Sequence, residues 1–392
     1  MKITKLVTLF AAAALIAVGF TGCDFDRDPD SPISGTFTKT KTWKGYDAQG
    51  NRMTYYIDSY LKIDKGCSFT IEEGAIVKFG PEGKIEVWDG SLNATGVIFT
   101  SWRDPRGRKI LAAGNVEPAA GDWKEVYLNG TVGKFEGCEF CYGGHNCNTL
   151  VVCHSHGKLR VNDCYFHDNA GSDEVTSSAN AALKYYNWEQ WDEQTNCVTN
   201  CRFENNLWPL SIPAFFNLDD SNRFLNNKYN YIHINDDEIK TAVVWEKQDV
   251  PFFYITTSGG SFISIKSGAS LTINGGNSSS NPNTLCFVHK GISIANGGTL
   301  YVNGYVTFTN SPLSSGVMFD GIKCKKSIKF KKTGSSSTTS VSEVLLTTST
   351  DSKIKVLNFD GTGNFAEDYE YSEYYRRPIT NENCFETLDF TN

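Results

Sequence analysis

The sequence predicts an all-β chain wound into a solenoid of short strands, a parallel β-helix, and three observations carry that expectation. First, Phe69–Ser101 is a series of strand-length runs broken at glycines. Phe69, Ile71, Ile76, Val77, Phe79, Ile85, Val87 and Leu92 supply apolar positions, and Gly74, Gly80, Gly83, Gly90 and Gly96 mark bends. Alternation over a few residues followed by Gly is how a short strand ending in a turn is written. Second, the pattern returns: Phe69-Thr-Ile-Glu-Glu-Gly74-Ala matches Ile263-Ser-Ile-Lys-Ser-Gly268-Ala, Ile85-Glu-Val87 matches Ile292-Ser-Ile294, and Val97-Ile-Phe-Thr100 matches Val306-Thr-Phe-Thr309. Third, Cys138-Glu-Phe140-Cys141-Tyr142-Gly143 aligns with Cys164-Tyr-Phe166-His-Asp-Asn169, Cys201-Arg-Phe203-Glu-Asn-Asn206 and Asn222-Arg-Phe224-Leu-Asn-Asn227. In a coiled chain equivalent residues lie above one another at about 4.8 Å. Stacked Phe then fill the core, and stacked Asn satisfy one another's amides at a turn.

The chain begins with a targeting segment. Lys2 and Lys5 precede an apolar run, Leu6 to Val18, that is too short to span a bilayer. It ends at Phe20-Thr-Gly22-Cys23, which resembles a bacterial lipoprotein signal with Phe20 in place of the usual Leu. The resemblance implies removal of residues 1–22, lipidation of Cys23, and a membrane partner reached through acyl chains that contribute about 0.8 kcal/mol per buried CH₂. Residues 23–34 form a polar tether. Loss of Lys2 and Lys5 leaves 35 basic against 44 acidic side chains, a net charge of −9. An acidic surface excludes general nucleic-acid binding.

Residues 35–66 are expected to form an N-terminal entry cap that leads into the repeat, with strands at Tyr55-Tyr-Ile57 and Tyr60-Leu-Lys-Ile63. Residues 101–121, rich in Gly, Pro and charge, are expected to leave it as a long loop. The spacings between the Phe of successive units are 26, 37 and 21 residues. The longest holds an insertion, residues 172–196, in which 181–186 keep strand character and 187–196 leave the side of the solenoid. The second half repeats the strands with Ser, Gly and Asn turns. The solenoid is expected over 35–358, with an internal duplication of the 55–101 pattern at 252–309. The aromatic, acidic residues 359–392 are expected to cap its final coil, whose backbone edge needs covering.

With these runs in place (Phe69-Thr-Ile71-Glu-Glu-Gly74, Gly90-Ser-Leu92, Ile98-Phe-Thr-Ser101, Gly121-Asp-Trp123) the chain resembles bacterial surface proteins with right-handed parallel β-helix repeats. The resemblance covers about 90 residues well and extends through the Phe/Asn units. It implies a right-handed solenoid at the cell envelope. It does not imply one activity, because that family includes adhesins, polysaccharide-binding proteins and polysaccharide-degrading enzymes.

Four groups of residues are candidates for chemistry. Cys138, Cys141, His145, Cys147, Cys153, His154, His156, Cys164 and His167 have the density of a zinc site. The plainer use is small core residues beside Phe140 and Phe166, with the remaining thiols paired as disulfides in an oxidising compartment. No metal and no cofactor is therefore predicted. Asp219-Asp220 and Asp236-Asp237-Glu238 are carboxylate clusters of the kind that serve glycoside hydrolysis or calcium, or are simply solvated on turns. The lysines Lys323, Lys325, Lys326, Lys329, Lys331 and Lys332 suit an acidic polysaccharide, or alternate on a strand with Ile328 and Phe330 inside. Tyr185, Tyr186, Trp188 and Trp191 are the preferred ligand contacts, since exposed aromatic faces stack on sugars and anchor protein interfaces. The expectation is a lipid-anchored protein of the cell envelope that binds a polysaccharide or a cell-surface protein without catalysis. The alternative is a polysaccharide lyase or glycoside hydrolase on the same scaffold.

Overall fold

The computed structural model describes residues 31–153, 159–171, 173–186, 197–257, 259–276, 280–294, 298–303, 306–310, 313 and five further strands: Ile322–Cys324, Ile328–Lys331, Glu343–Leu346, Lys355–Phe359 and Phe365–Asp368. It is a right-handed parallel β-helix. A long sheet of 11 strands runs from Gly35–Phe37 to Val306–Asn310. A second sheet of six strands runs from Lys41–Trp43 to Val198–Thr199, and a third of seven from Thr54–Ile57 to Arg223–Leu225. From Gly35–Phe37 to Arg202–Glu204 each coil contributes one strand to each sheet in turn, and every neighbour in these sheets is parallel. Residues 35–57 lie within this stack as its first coil.

The local cause is visible strand by strand. Lys84–Trp88 alternates half-buried and buried positions, with Ile85 and Val87 inside. A strand of this kind buries two or three apolar side chains, each worth about 1.5–3 kcal/mol. The bends use the left-handed backbone region. Asp163, Asp168, Asn200, Asn205 and Asn226 all have φ between 51° and 55°. Asn and Asp tolerate that conformation better than other residues with a Cβ. They stand one residue before Cys164, Asn169, Cys201, Asn206 and Asn227, so the turn chemistry recurs with the repeat.

The expected ladders are present in the expected register. Phe140 pairs with Phe166, Phe166 with Phe203, and Phe203 with Phe224. With Phe99 they form one stack, with ring centroids 4.6, 4.9, 5.0 and 5.1 Å apart and nearly parallel planes. Asn169 Nδ2 donates to Asn206 Oδ1 at 2.9 Å, and Asn206 Nδ2 donates to Asn227 Oδ1 at 3.0 Å. Each Nδ2 also donates to a Phe carbonyl one coil back. At the head of this ladder stands Gly143, whose N–H donates to Asn169 Oδ1 at 2.9 Å; a Cβ there would lie 2.7 Å from the buried Trp123 ring.

No disulfide is formed among the described residues. The nine cysteines among the described residues are free thiols. Cys138, Cys164 and Cys201 stack in the core on successive coils as small residues, which leaves them no partner from a turn or loop.

The stack changes character after Arg223–Leu225. The coil holding Leu210–Pro213 has no second-sheet strand; Phe215, Phe216 and Leu218 fill its place, and Leu218 bridges to Trp245. Two four-stranded sheets then begin at Glu238–Ile239 and Ala242–Trp245. The duplicated pattern follows the coil only partway. Ser68–Ile71 and Ile263–Ile265 both directly follow a long-sheet strand, but Lys84–Trp88 belongs to the long sheet while Ile292–Ile294 does not. The repeating unit is the strand and turn, not a block of coils. Strands Glu343–Leu346, Lys355–Phe359 and Phe365–Asp368 pair antiparallel.

The 102–121 segment leaves the solenoid as a loop and lies back on the outer side of the third sheet. Trp102, Ile110 and Ala113 pack there against Tyr56. Buried Lys78 fastens it by donating to the carbonyls of Asp104 and Arg108 at 2.6 and 2.7 Å. No described helix is long and apolar enough to cross a membrane.

Candidate ligand-binding groove

The groove begins with a proline. Strands Leu210–Pro213 and Ile232–Asp236 pair in register through Ile212 and Ile234, but Pro213 pairs with Asp236, which leaves Asn235 as an extra residue. Proline has no N–H to continue a ladder, and a bulge at that point re-aims the side chains that follow. Asn235 anchors the bulge by donating from Nδ2 to the carbonyl of Tyr185 at 2.7 Å and to Ser211 Oγ at 2.9 Å. Its Oδ1 is buried without a partner.

Beyond the bulge, Asp236, Asp237 and Glu238 line a cavity of about 360 Å³ together with Tyr186, Phe215, Tyr254, Thr256 and Lys240. That volume lies at the lower end of the range for small-molecule sites, roughly 300–1,000 Å³. The walls combine aromatic surface with carboxylates. Burial pushes the Asp236 carboxyl above its ordinary value, and the charges of Asp237 and Glu238 add to the rise. Glu238 is held low by Lys240 and Lys266, each 2.8 Å from one of its oxygens. Burial and the nearby Cys153 and Asp236 raise the Tyr186 phenol. The Tyr254 hydroxyl donates to the Ser261 carbonyl at 2.8 Å, which fixes that ring in the wall.

The predicted contacts divide sharply. Tyr186 is 36% exposed and lines the groove. Tyr185 is fully buried, donates to the Leu159 carbonyl at 3.0 Å and packs edge-on against Phe216. It cannot meet a ligand: successive residues on a strand face opposite sides, and Leu183–Tyr186 is a strand. Trp188 and Trp191 lie outside the described residues, as does Cys23. Of the two carboxylate clusters, only Asp236-Asp237-Glu238 reaches the groove. Asp219 instead closes a turn by accepting from the Ser221 backbone N–H at 3.1 Å. The side chains of the lysine run are outside the described set. Sequence reasoning missed Phe215, Asn235 and Tyr254. The signal for the bulge was Pro213 inside a strand-like run.

Next to the groove lies a second polar group sealed from water. His233 Nδ1 is 2.8 Å from buried Ser211 Oγ, and Trp208, Phe253 and Lys184 surround the pair. Burial, helped by Lys184, pushes the imidazole down to about 3. It is sealed from solvent, has no carboxylate partner among the described residues, and packs its ring against Trp208 and Phe253.

No family model matches the chain, and neither a curated protein nor a solved structure matches it. Fold and groove together define a parallel β-helix with an acidic, aromatic-walled cleft at the point where its sheets change.

Proposed function

We propose that this is a lipid-anchored cell-envelope protein, tethered through Cys23, that binds a carbohydrate in the groove without transforming it. The observation that carries the reading is the convergence of Tyr186 with Asp236 and Asp237 across the Asn235 bulge. An aromatic face offers stacking to the C–H side of a sugar ring, and carboxylates accept from its hydroxyls. The mildly acidic chain favours neutral or cationic glycans over acidic ones. The experiment is a glycan array probed with the mature chain in detergent. Binding that disappears in Tyr186→Ala and Asp236→Asn supports the reading, and binding unchanged in both moves the contact elsewhere. The anchor is tested separately: Cys23→Ala should shift the protein out of the membrane fraction, and retention there would argue for a different attachment.

A catalytic reading is favoured by one feature. Asp236 is half-buried and raised whereas Glu238 is held low and paired with two lysines, and carboxylates in unlike environments are how glycosidases separate acid from base. Release of reducing ends or unsaturated products from a bound glycan would replace binding with catalysis.

A further inference from the structure

The outer side of the third sheet carries a group of residues that glycan binding does not use. Cys141 pairs with His167 across adjacent coils, and Glu139 is the other outward residue of the Cys141 strand. A carboxylate oxygen of Glu139, the Cys141 sulfur and a His167 ring nitrogen all lie within 4.8 Å of one another. We propose that Glu139, Cys141 and His167 form a binding site for zinc or a similar borderline divalent cation, closed in the metal-free protein by the guanidinium of Arg106.

Three features support the assignment. The donors are one nitrogen, one sulfur and one oxygen, a set that suits zinc or cobalt and not the oxygen-seeking calcium or magnesium. His167 is oriented from behind: its Nδ1 lies 2.7 Å from Asp168 Oδ2, which turns Nε2 toward Glu139 Oε1 at 2.9 Å. A carboxylate behind a ligating imidazole fixes tautomer and ring direction in metal sites. Finally, the space already holds a cation. Arg106 Nη1 is 2.7 Å from Glu139 Oε1, and Nη2 is 3.3 Å from Cys141 Sγ.

Arg106 also explains how such a site remains stable when metal-free. Its side chain is 38% exposed, so the guanidinium can withdraw toward solvent. Its contacts to Asp104, at 2.7–3.0 Å, compete with withdrawal and set the cost of opening. Metal entry puts three protein donors on the ion, with a water in the vacated fourth position, and both the Cys141 thiol proton and the proton that His167 Nε2 shares with Glu139 leave to solvent.

The test uses the full mature chain, stripped with chelator and titrated with cobalt(II). A near-ultraviolet thiolate-to-cobalt band should appear, and zinc should bleach it. Cys141→Ser should abolish the band while Cys147→Ser keeps it. Asp168→Asn should weaken cobalt binding by roughly 10- to 100-fold, and Arg106→Ala should tighten it. If Cys141→Ser fails to melt cooperatively, His167→Gln carries the same test. A band that survives in Cys141→Ser or His167→Gln overturns the proposal, as does the lack of a band in both the wild type and Arg106→Ala.

Discussion

The two halves of the solenoid solve one problem differently. Between Ile98–Ser101 and Arg223–Leu225 the coils repeat in identity: Phe stacks on Phe, Asn on Asn, Cys on Cys, and Asp or Asn turns the chain at equivalent points. From Ile232 onward the inward columns are mainly aliphatic. Ile263–Ile265 and Ser270–Asn274 alternate inward Ile and Leu with outward Ser and Thr, and Ile pairs with Ile in register through Ile239, Ile265 and Ile294 and through Ile263, Ile292 and Ile322, with no run of stacked rings among the described residues. Ring and amide ladders add specific contacts to the general gain from burial. They also make each coil depend on the next. Aliphatic columns tolerate local change, and it is at the boundary between the two regimes that a coil loses a strand, a bulge appears and a groove opens.

The largest expected effect tests the ladder half directly. Phe203→Ala removes the ring between Phe166 and Phe224 and should cost about 3–5 kcal/mol. Removing a single carbon from an aliphatic column, Ile265→Val, should cost about 0.5–1.5 kcal/mol. A Phe203→Ala loss no larger than that in denaturant melts would mean that the ring stack contributes little. Asn206→Ala comes next. It leaves the Asn169 backbone N–H without its acceptor and removes one hydrogen bond each from the Asn169 and Asn227 side chains, at about 1–3 kcal/mol for the unsatisfied group; a neutral result would mean that water replaces the ladder.

Two histidines sharpen the comparison through pH. His233, sealed in apolar surroundings at the boundary, has a folded value near 3 against an ordinary 6.5. Below about 6.5 the unfolded chain takes up a proton that the folded chain refuses. Stability should therefore fall by about 1.4 kcal/mol per pH unit on acidification toward 3. His167, in the ladder half, moves the other way. Burial opposes its charge, but hydrogen bonds to Glu139 and Asp168 prevail and raise it. Its contribution is complete below the unfolded value of 6.5 and disappears as pH rises through the folded one. His233→Phe should flatten the acid limb of a stability–pH curve and leave the alkaline side unchanged. The acid limb persisting in that variant would assign it to carboxylates instead.

The smallest stability effect belongs to the groove. Tyr186→Ala should change stability by no more than about 0.5 kcal/mol, because the residue is a surface one. Tyr185→Phe, one position earlier, should cost about 1 kcal/mol by removing its hydrogen bond to Leu159. Glycan binding should respond to the first and ignore the second. The reverse outcome would place the ligand away from the groove.

Much of this was legible in the chain, and the reason is physical. A solenoid writes its long-range contacts as local repetition. The spacing of Phe140, Phe166, Phe203 and Phe224 encodes which residues stack, and the Asn three positions after each of the last three encodes the turn. The preceding Asp or Asn encodes the left-handed bend. Where repetition lapsed, legibility ended. The near-match of Ile85-Glu-Val87 to Ile292-Ser-Ile294 was real as strand chemistry and misleading as coil position, because neighbouring strands of one coil share the same alternation.

By itself, then, the sequence determined the class of fold, the identity of the ladders and the register of the first half, all of which follow from periodicity, apolar alternation and turn propensity. Only the tertiary structure decided that Tyr185 faces the core while Tyr186 faces the groove, that Asp236 and not Asp219 meets it, and that Cys138, Cys164 and Cys201 stack as thiols. Those outcomes depend on the parity of a single strand, a bulge opposite Pro213 and the coil-to-coil stacking of the core. Each is set by contacts between residues about 20 to 40 positions apart, whose relative placement no local pattern specifies.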